Sequence, residues 1–192
     1  RLPKHRFHFN RVGKEIDLFC KNNVEDIAVL DPIFNSGKQA VKILKRFHEN
    51  GFKGRLSLQC RAEMITDEFI EYSSKLNVRL EFGLQTIHEN EGVAVNRKNN
   101  MNKVRQNLTK IIDAGIEYEV SVIYGLPEQT LDSFRETINW CLSMKTPVIK
   151  AFPLMLLRGT DTEKRKDTWG FVESGDSMPV AIQSDTFSFE DW

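Results

Sequence analysis

Cysteine is scarce in these 192 residues. Cys20, Cys60 and Cys141 are too few and too scattered for a disulfide framework, and they match no zinc motif. Their odd number suggests reduced thiols and predicts a cytoplasmic location. No apolar run approaches the ~20 residues that span a bilayer. The basic opening Arg1-Leu2-Pro3-Lys4-His5-Arg6 leads into no long apolar stretch, so it does not read as a secretory signal. Net charge is also lacking: 27 basic residues balance 27 acidic ones, which removes any global attraction to nucleic acid or anionic lipid. Clusters such as Lys164-Arg165-Lys166 are flanked by acids and read as a solvated face. His5, His8, His48 and His88 show no metal-ligand spacing, so no metal site is expected from them.

What is present is an ordinary hydrophobic share, 40%, arranged in alternating periods. Val12, Ile16, Phe19 and Cys20 form a helical stripe, followed by a short strand over 27–30. Val41, Leu44 and Phe47 mark the next helix and 56–60 the next strand. Thr66 is placed to cap a helix whose first turn holds Asp67 and Glu68. A strand over 78–84 leads into a long polar loop, and Met101, Val104, Leu108, Ile111 and Ile112 mark a further helix. A strand over 118–124, a helix capped by Thr130 and a strand over 148–154 complete the pattern. Beyond Gly159 the chain turns Ser-, Asp- and Thr-rich. The expected division is a barrel core over 1–158 and a mostly irregular extension over 159–192.

Strands alternating with helices of this length indicate right-handed crossovers and a parallel sheet. The strand faces say which kind. Leu56, Leu58 and Cys60 alternate with Ser57, Gln59 and Arg61, and Val78, Leu80, Phe82 and Leu84 with Arg79, Glu81, Gly83 and Gln85. Doubly wound sheets bury both faces and read as continuous apolar runs. A polar second face instead predicts helices on the convex side only, with the polar side chains lining a concave one, as in a TIM-like β/α barrel. Closure takes eight strands and about 250 residues. About five strands are legible here, so the expected fold is α/β, a partial, open parallel barrel. Its unpaired edges call for cover by the tail or by a second copy of the chain.

Active sites of such barrels lie at the carboxyl ends of the strands. Asp31-Pro32 sits there, as a holder of a ligand ammonium group or as a plain turn. Gln59, Arg61 and Glu63 end one strand, and Glu81 and Gln85 the next. A guanidinium beside an amide suits a ligand carboxylate; equally, Arg61 or Arg79 could pair internally with Glu81. Gly125-Leu126-Pro127-Glu128-Gln129-Thr130 is a tight strand-to-helix turn that lacks the spacing of either phosphate-binding glycine motif.

Taken in order, Asp31-Pro32-Ile33-Phe34-Asn35, Gly83-Leu84-Gln85-Thr86, Val95-Asn96-Arg97, Ile123-Tyr124-Gly125-Leu126-Pro127-Glu128-Gln129-Thr130 and Leu157-Arg158-Gly159-Thr160 resemble the radical S-adenosylmethionine (SAM) superfamily. The likeness spans about residues 10–160 and is nearest the cobalamin-associated and oxygen-independent coproporphyrinogen-oxidase-like branches. It implies a partial (β/α)6 barrel and an enzyme that reductively cleaves SAM at a [4Fe–4S] cluster to a 5′-deoxyadenosyl radical. Cobalamin enters as a further cofactor of one branch. The family's three-cysteine cluster motif precedes its first helix, whereas the three cysteines here lie dozens of residues apart. The expectation is therefore a core fragment, inactive alone, with no catalytic or metal-ligating residue of its own.

The resemblance also implies cofactor-binding roles. Asp31 lies where the methionyl amino group is met, Gln59 and Arg61 where the third strand gives polar contacts, with Arg61 toward the methionyl carboxylate. Gln85 falls near the ribose. Ser121 stands where some relatives carry an acid, and Ile123, Gly125 and Leu126 lie in the segment beside adenine. Arg97 matches a recurrent arginine without an assigned role. Two other readings stay open: a SAM-binding or scaffold module without chemistry, and a piece of a conventional barrel lyase or aldolase, for which Lys150 is the one weak candidate.

Overall fold

The computed structural model of the chain describes residues 7–192; the basic opening, His5 included, lies outside the described residues. Five strands form one sheet in sequential order: β1 (Asp26–Val29), β2 (Arg55–Cys60), β3 (Asn77–Gln85), β4 (Glu117–Tyr124) and β5 (Ile149–Pro153). The pairings β1–β2, β2–β3 and β4–β5 are parallel. Helix α1 (Phe9–Lys21) precedes β1, and the helices between the strands are α2 (Gln39–Glu49), α3 (Asp67–Ser73), α4 (Glu89–Ala94), α5 (Met101–Asp113) and α6 (Leu131–Ser143). Each predicted strand is present within a residue or two of its expected bounds. The described residues divide into two compact units, 7–82 with Gln106–Tyr118, and Gly83–Arg105 with Glu119–Trp192.

In the first unit the expected alternation holds. Leu56, Leu58, Cys60, Val78, Leu80 and Phe82 are buried with Leu44, Phe47, Phe69, Leu108 and Ile111 from the helices. Each large apolar side chain removed from water this way stabilises by about 1.5–3 kcal/mol. The intervening Ser57, Arg79 and Glu81 are half-buried and Gln59 is exposed, so helices bury one face of these strands and leave the other polar. Helix α2 packs against both α1 and α3. Arg46 clasps Asp17 through Nε and Nη2, each at 2.7 Å, which ties α2 to α1 by a bidentate fork. Thr66 caps α3 by accepting the Phe69 amide at 3.2 Å.

In the second unit, Thr130 caps α6 in a reciprocal box with Ser133: the Ser133 amide donates to the Thr130 hydroxyl at 3.1 Å and the Thr130 amide to the Ser133 hydroxyl at 3.0 Å. Beyond Gly159 the chain carries α7 (Asp161–Lys164), a 3-10 turn Lys166–Trp169, and a small antiparallel pair, β6 (Val172–Glu173) with β7 (Ala181–Gln183). Trp169, Phe171 and Ala181 join Leu126, Leu154 and Leu156 in one buried cluster. Those aromatics anchor pieces too short to show any period in sequence. The Ala181 amide donates to the Leu154 carbonyl at 2.9 Å and the Leu156 amide to the Pro179 carbonyl at 2.8 Å, so the tail pairs with the chain just past β5.

Candidate functional site

The polar groups at the strand ends of the first unit are arranged by the loop after β1. Asp31 accepts the Ile33 amide at 3.0 Å, an Asx-type turn that folds the Pro32 loop back on itself. The Phe34 amide then reaches the Gln59 carbonyl at 2.8 Å. Buried Asn35 brackets the end of β2, donating to the Arg61 carbonyl at 2.8 Å and accepting the Arg61 amide at 2.9 Å. The Arg61 guanidinium pairs with Glu63 at 2.6 Å, Arg79 pairs with Glu117 at 3.6 Å, and Gln59 donates to Glu81 at 3.4 Å. Glu63 thus holds Arg61 in the arrangement the sequence left open between a ligand carboxylate and an internal partner.

The second unit carries the end of β3. Gln85 stands at φ +71°, a left-handed conformation that a side-chain-bearing residue adopts at a cost. Its Oε1 is buried and has no hydrogen-bond partner. Gly83 leaves room for the Gln85 side chain, since a Cβ there would lie 2.9 Å from Gln85 Nε2 and 3.4 Å from Arg97 Nη2. Arg97 donates to the Gly83 carbonyl, and Asn99 to the carbonyls of Leu84 at 2.7 Å and Thr86 at 3.1 Å. The recurrent arginine therefore fastens the loop after α4 to the strand end.

Beyond β4, Gly125 takes φ +77° to turn the chain, and the Leu126 side chain enters the buried cluster with Leu154 and Leu156. Ile123 is partly buried against the same cluster, and half-buried Ser121 stands opposite Lys150 of β5. Lys150 is held at 2.5 Å from Glu119, which is 1% exposed.

Sequence reasoning missed the segment after β3. Expected to be a polar loop, it contains α4, whose Glu91 is 1% exposed and bonded to Thr86, Gln129 and Ser133. Thr86 and Gln129 both sit in motifs singled out above, but nothing local in the sequence links them to Glu91, which lies 38 residues before Gln129.

An iron–sulfur cluster needs several clustered thiolates. Burial pushes the Cys60 thiol up to about 12, with the charges of Asp31 and Glu81 adding to it, and burial pushes Cys141 up to about 11. Cys20 is raised too, again chiefly by burial. Among the described residues no group of three or more His, Cys, Asp or Glu side chains is placed to hold a metal. These residues do not fit a cluster. The buried, unpartnered amide oxygen of Gln85 instead suits a hydroxyl donor.

Five parallel strands with helical crossovers and polar strand ends define an α/β partial barrel. Solved structures agree. The radical SAM methyltransferase TsrM from Kitasatospora setae, in its form with tryptophan substrate and a SAM analogue, superposes with a TM-score of 0.74 over 91% of this chain and 37% of its own, at 14% identity. The Escherichia coli coproporphyrinogen III oxidase HemN, a radical SAM enzyme, gives 0.54 over 76% of this chain and 38% of its own, at 16% identity. In sequence, the uncharacterized protein YtqA of Bacillus subtilis (strain 168) is 31% identical over 114 residues, 57% of this chain. The chain spans about a third of that curated relative's length, 35%. The Radical SAM superfamily profile matches residues 7–141, and the chain belongs to that superfamily.

Proposed function

We propose that this chain is a core portion of a radical SAM enzyme and that its strand-end residues serve SAM. Asp31 meets the amino group of the methionyl end, and Arg61 exchanges Glu63 for the methionyl carboxylate, with Gln59 beside it. Gln85 accepts a ribose hydroxyl. Backbone from Ile123 to Leu126, turned by Gly125, lies along adenine, and Ser121 gives a weaker polar contact. The observation that carries this reading is the Gln85 amide oxygen, buried and unpartnered on a strained backbone. A buried acceptor left without a donor costs about 1–3 kcal/mol, which a ligand hydroxyl returns.

Reductive cleavage of SAM needs a cluster that these thiols do not hold, so the 192-residue chain alone is expected to be inactive. A cytoplasmic setting and cobalamin in the whole enzyme belong to the same proposal. No helix among the described residues is long and apolar enough to cross a membrane. Calorimetry with S-adenosylhomocysteine tests the reading. Binding is expected, weakened about tenfold or more by Gln85→Leu and by Arg61→Met. Failure of the wild-type chain to bind would overturn it. Appreciable SAM cleavage by this chain after iron–sulfur reconstitution would overturn the inactive assignment.

A further inference from the structure

Among the described residues two carboxylates, Glu91 and Glu119, are only 1% exposed; Glu119 has Lys150 beside it, whereas none of the three bonded partners of Glu91 is a cation. Its Oε2 accepts from the Thr86 hydroxyl at 2.5 Å and from Gln129 Nε2 at 3.2 Å; its Oε1 accepts from the Ser133 hydroxyl at 2.5 Å. Three neutral donors from three segments, the end of β3, the loop after β4 and the first turn of α6, converge on one carboxylate. Such an arrangement keeps a buried carboxylate tolerable by using its lone pairs.

Gln129 passes this constraint on. Its side chain is fully buried, and it uses both amide hydrogens and its oxygen. Nε2 donates to Glu91 and to the Ile123 carbonyl at 3.2 Å, while Oε1 accepts the Leu126 amide at 3.2 Å. A carboxylate can only accept, so Glu91 and the Ile123 carbonyl together fix which end of the amide is nitrogen. With the nitrogen so placed, the oxygen must face the Leu126 amide. The Ile123–Leu126 turn is thereby clamped by Gln129, whose orientation Glu91 helps to fix.

We infer that Glu91 is a positioning residue: through Gln129 it presets the backbone of the Ile123–Leu126 turn for an adenine-bearing ligand. The inference rests on the reading above, which assigns that turn to adenine, and adds the device that holds it ready. Preorganisation of this kind sets affinity through the fraction of time the turn is formed.

The test uses the full chain with two variants, Glu91→Gln and Gln129→Met, and Arg135→Ala as an exposed control. Hydrogen exchange at the Leu126 amide is followed alongside thermal melting and calorimetry with S-adenosylhomocysteine and 5′-methylthioadenosine, which keeps the adenosine but lacks the amino-acid end. Glu91→Gln is expected to melt within a few degrees of wild type and to lose protection at Leu126. It should bind both ligands about tenfold more weakly, by the same factor, as a turn formed roughly a tenth of the time requires. Saturating S-adenosylhomocysteine should restore the protection, which a merely structural defect would not allow. Gln129→Met should do the same by freeing the Leu126 amide directly, and serves if Glu91→Gln does not fold. Unchanged protection at Leu126 in the variants, or lost protection with unchanged affinity, would overturn the inference. A wild-type chain that binds neither ligand removes the SAM reading instead, and exchange at Leu126 then decides by itself whether Glu91 sets the turn.

Discussion

The two units settle their strand-end polar groups in opposite ways. In the first, charges face each other near water: Arg61 and Glu63 retain 22% and 14% of their side-chain exposure, and Gln59 reaches Glu81 from an exposed position. In the second, Thr86, Glu91, Gln129 and Thr137 are each no more than 1% exposed and bond through neutral donors. An ion pair at the edge of solvent can trade one carboxylate for another at small cost. A buried network cannot trade partners without stranding one of them. The first arrangement suits groups that must let go of each other to hold a ligand. The second suits a backbone that must be in place beforehand.

The largest effect that would sharpen this contrast is chemical. Each unit hides a cysteine, Cys60 on the buried face of β2 and Cys141 in α6. A thiol held at about 12 has about a thousandfold less thiolate than one at the ordinary 9.0, and one at about 11 has about a hundredfold less. Alkylation of the native chain at pH 8 should therefore proceed at half-buried Cys20, with Cys60 and Cys141 unmodified on that timescale. Mass spectrometry after digestion checks this. Rapid labelling of Cys60 would mean that the first unit is open where its core is taken as closed.

Next comes stability. Glu91→Ala takes the carboxylate acceptor from the buried Thr86 hydroxyl and Gln129 amide, and should cost about 3–5 kcal/mol in urea unfolding. Arg61→Ala removes one side of a pair that keeps contact with water and should cost about 1 kcal/mol. Equal losses would erase the distinction between the units. A loss at Arg61 larger than that at Glu91 would invert it.

How much of this was legible in the sequence follows the same line. The alternation of Leu56, Leu58 and Cys60 with Ser57, Gln59 and Arg61 showed both the strand and its two faces, because a period of two is a local property. Thr66 and Thr130 were legible as caps for the same reason. Glu91 was not. On a six-residue helix amid polar neighbours it carries no periodic signal, and its burial depends on Gln129 and Ser133, 38 and 42 residues further along. The Arg61–Glu63 pair was missed in favour of Glu81 because strand register draws attention to cross-strand neighbours, whereas the 3-10 turn Ala62–Met64 brings Glu63 back toward Arg61. The tail elements rest on Trp169 and Phe171 finding Leu126 and Leu154, contacts that no short window contains.

The smallest effect concerns pH, and it bears on the first unit's reliance on exposed charge. Hydrogen bonds from Arg46, and then from Asn50, hold the Asp17 carboxyl below its ordinary 3.8. A group whose value is depressed on folding binds fewer protons in the native state than in the unfolded one. Its contribution is therefore complete above the ordinary aspartate value and is lost as the pH falls through the depressed one. Urea unfolding of wild type and Asp17→Asn should differ at pH 6, with wild type the more stable. The two curves should converge as the pH drops below the ordinary aspartate range, where wild-type Asp17 is protonated as well. Because the pair is open to solvent, added salt should narrow the gap at pH 6. A gap that persisted at pH 2, or that grew with salt, would mean that the α1–α2 contact depends on packing and owes little to the Arg46 fork.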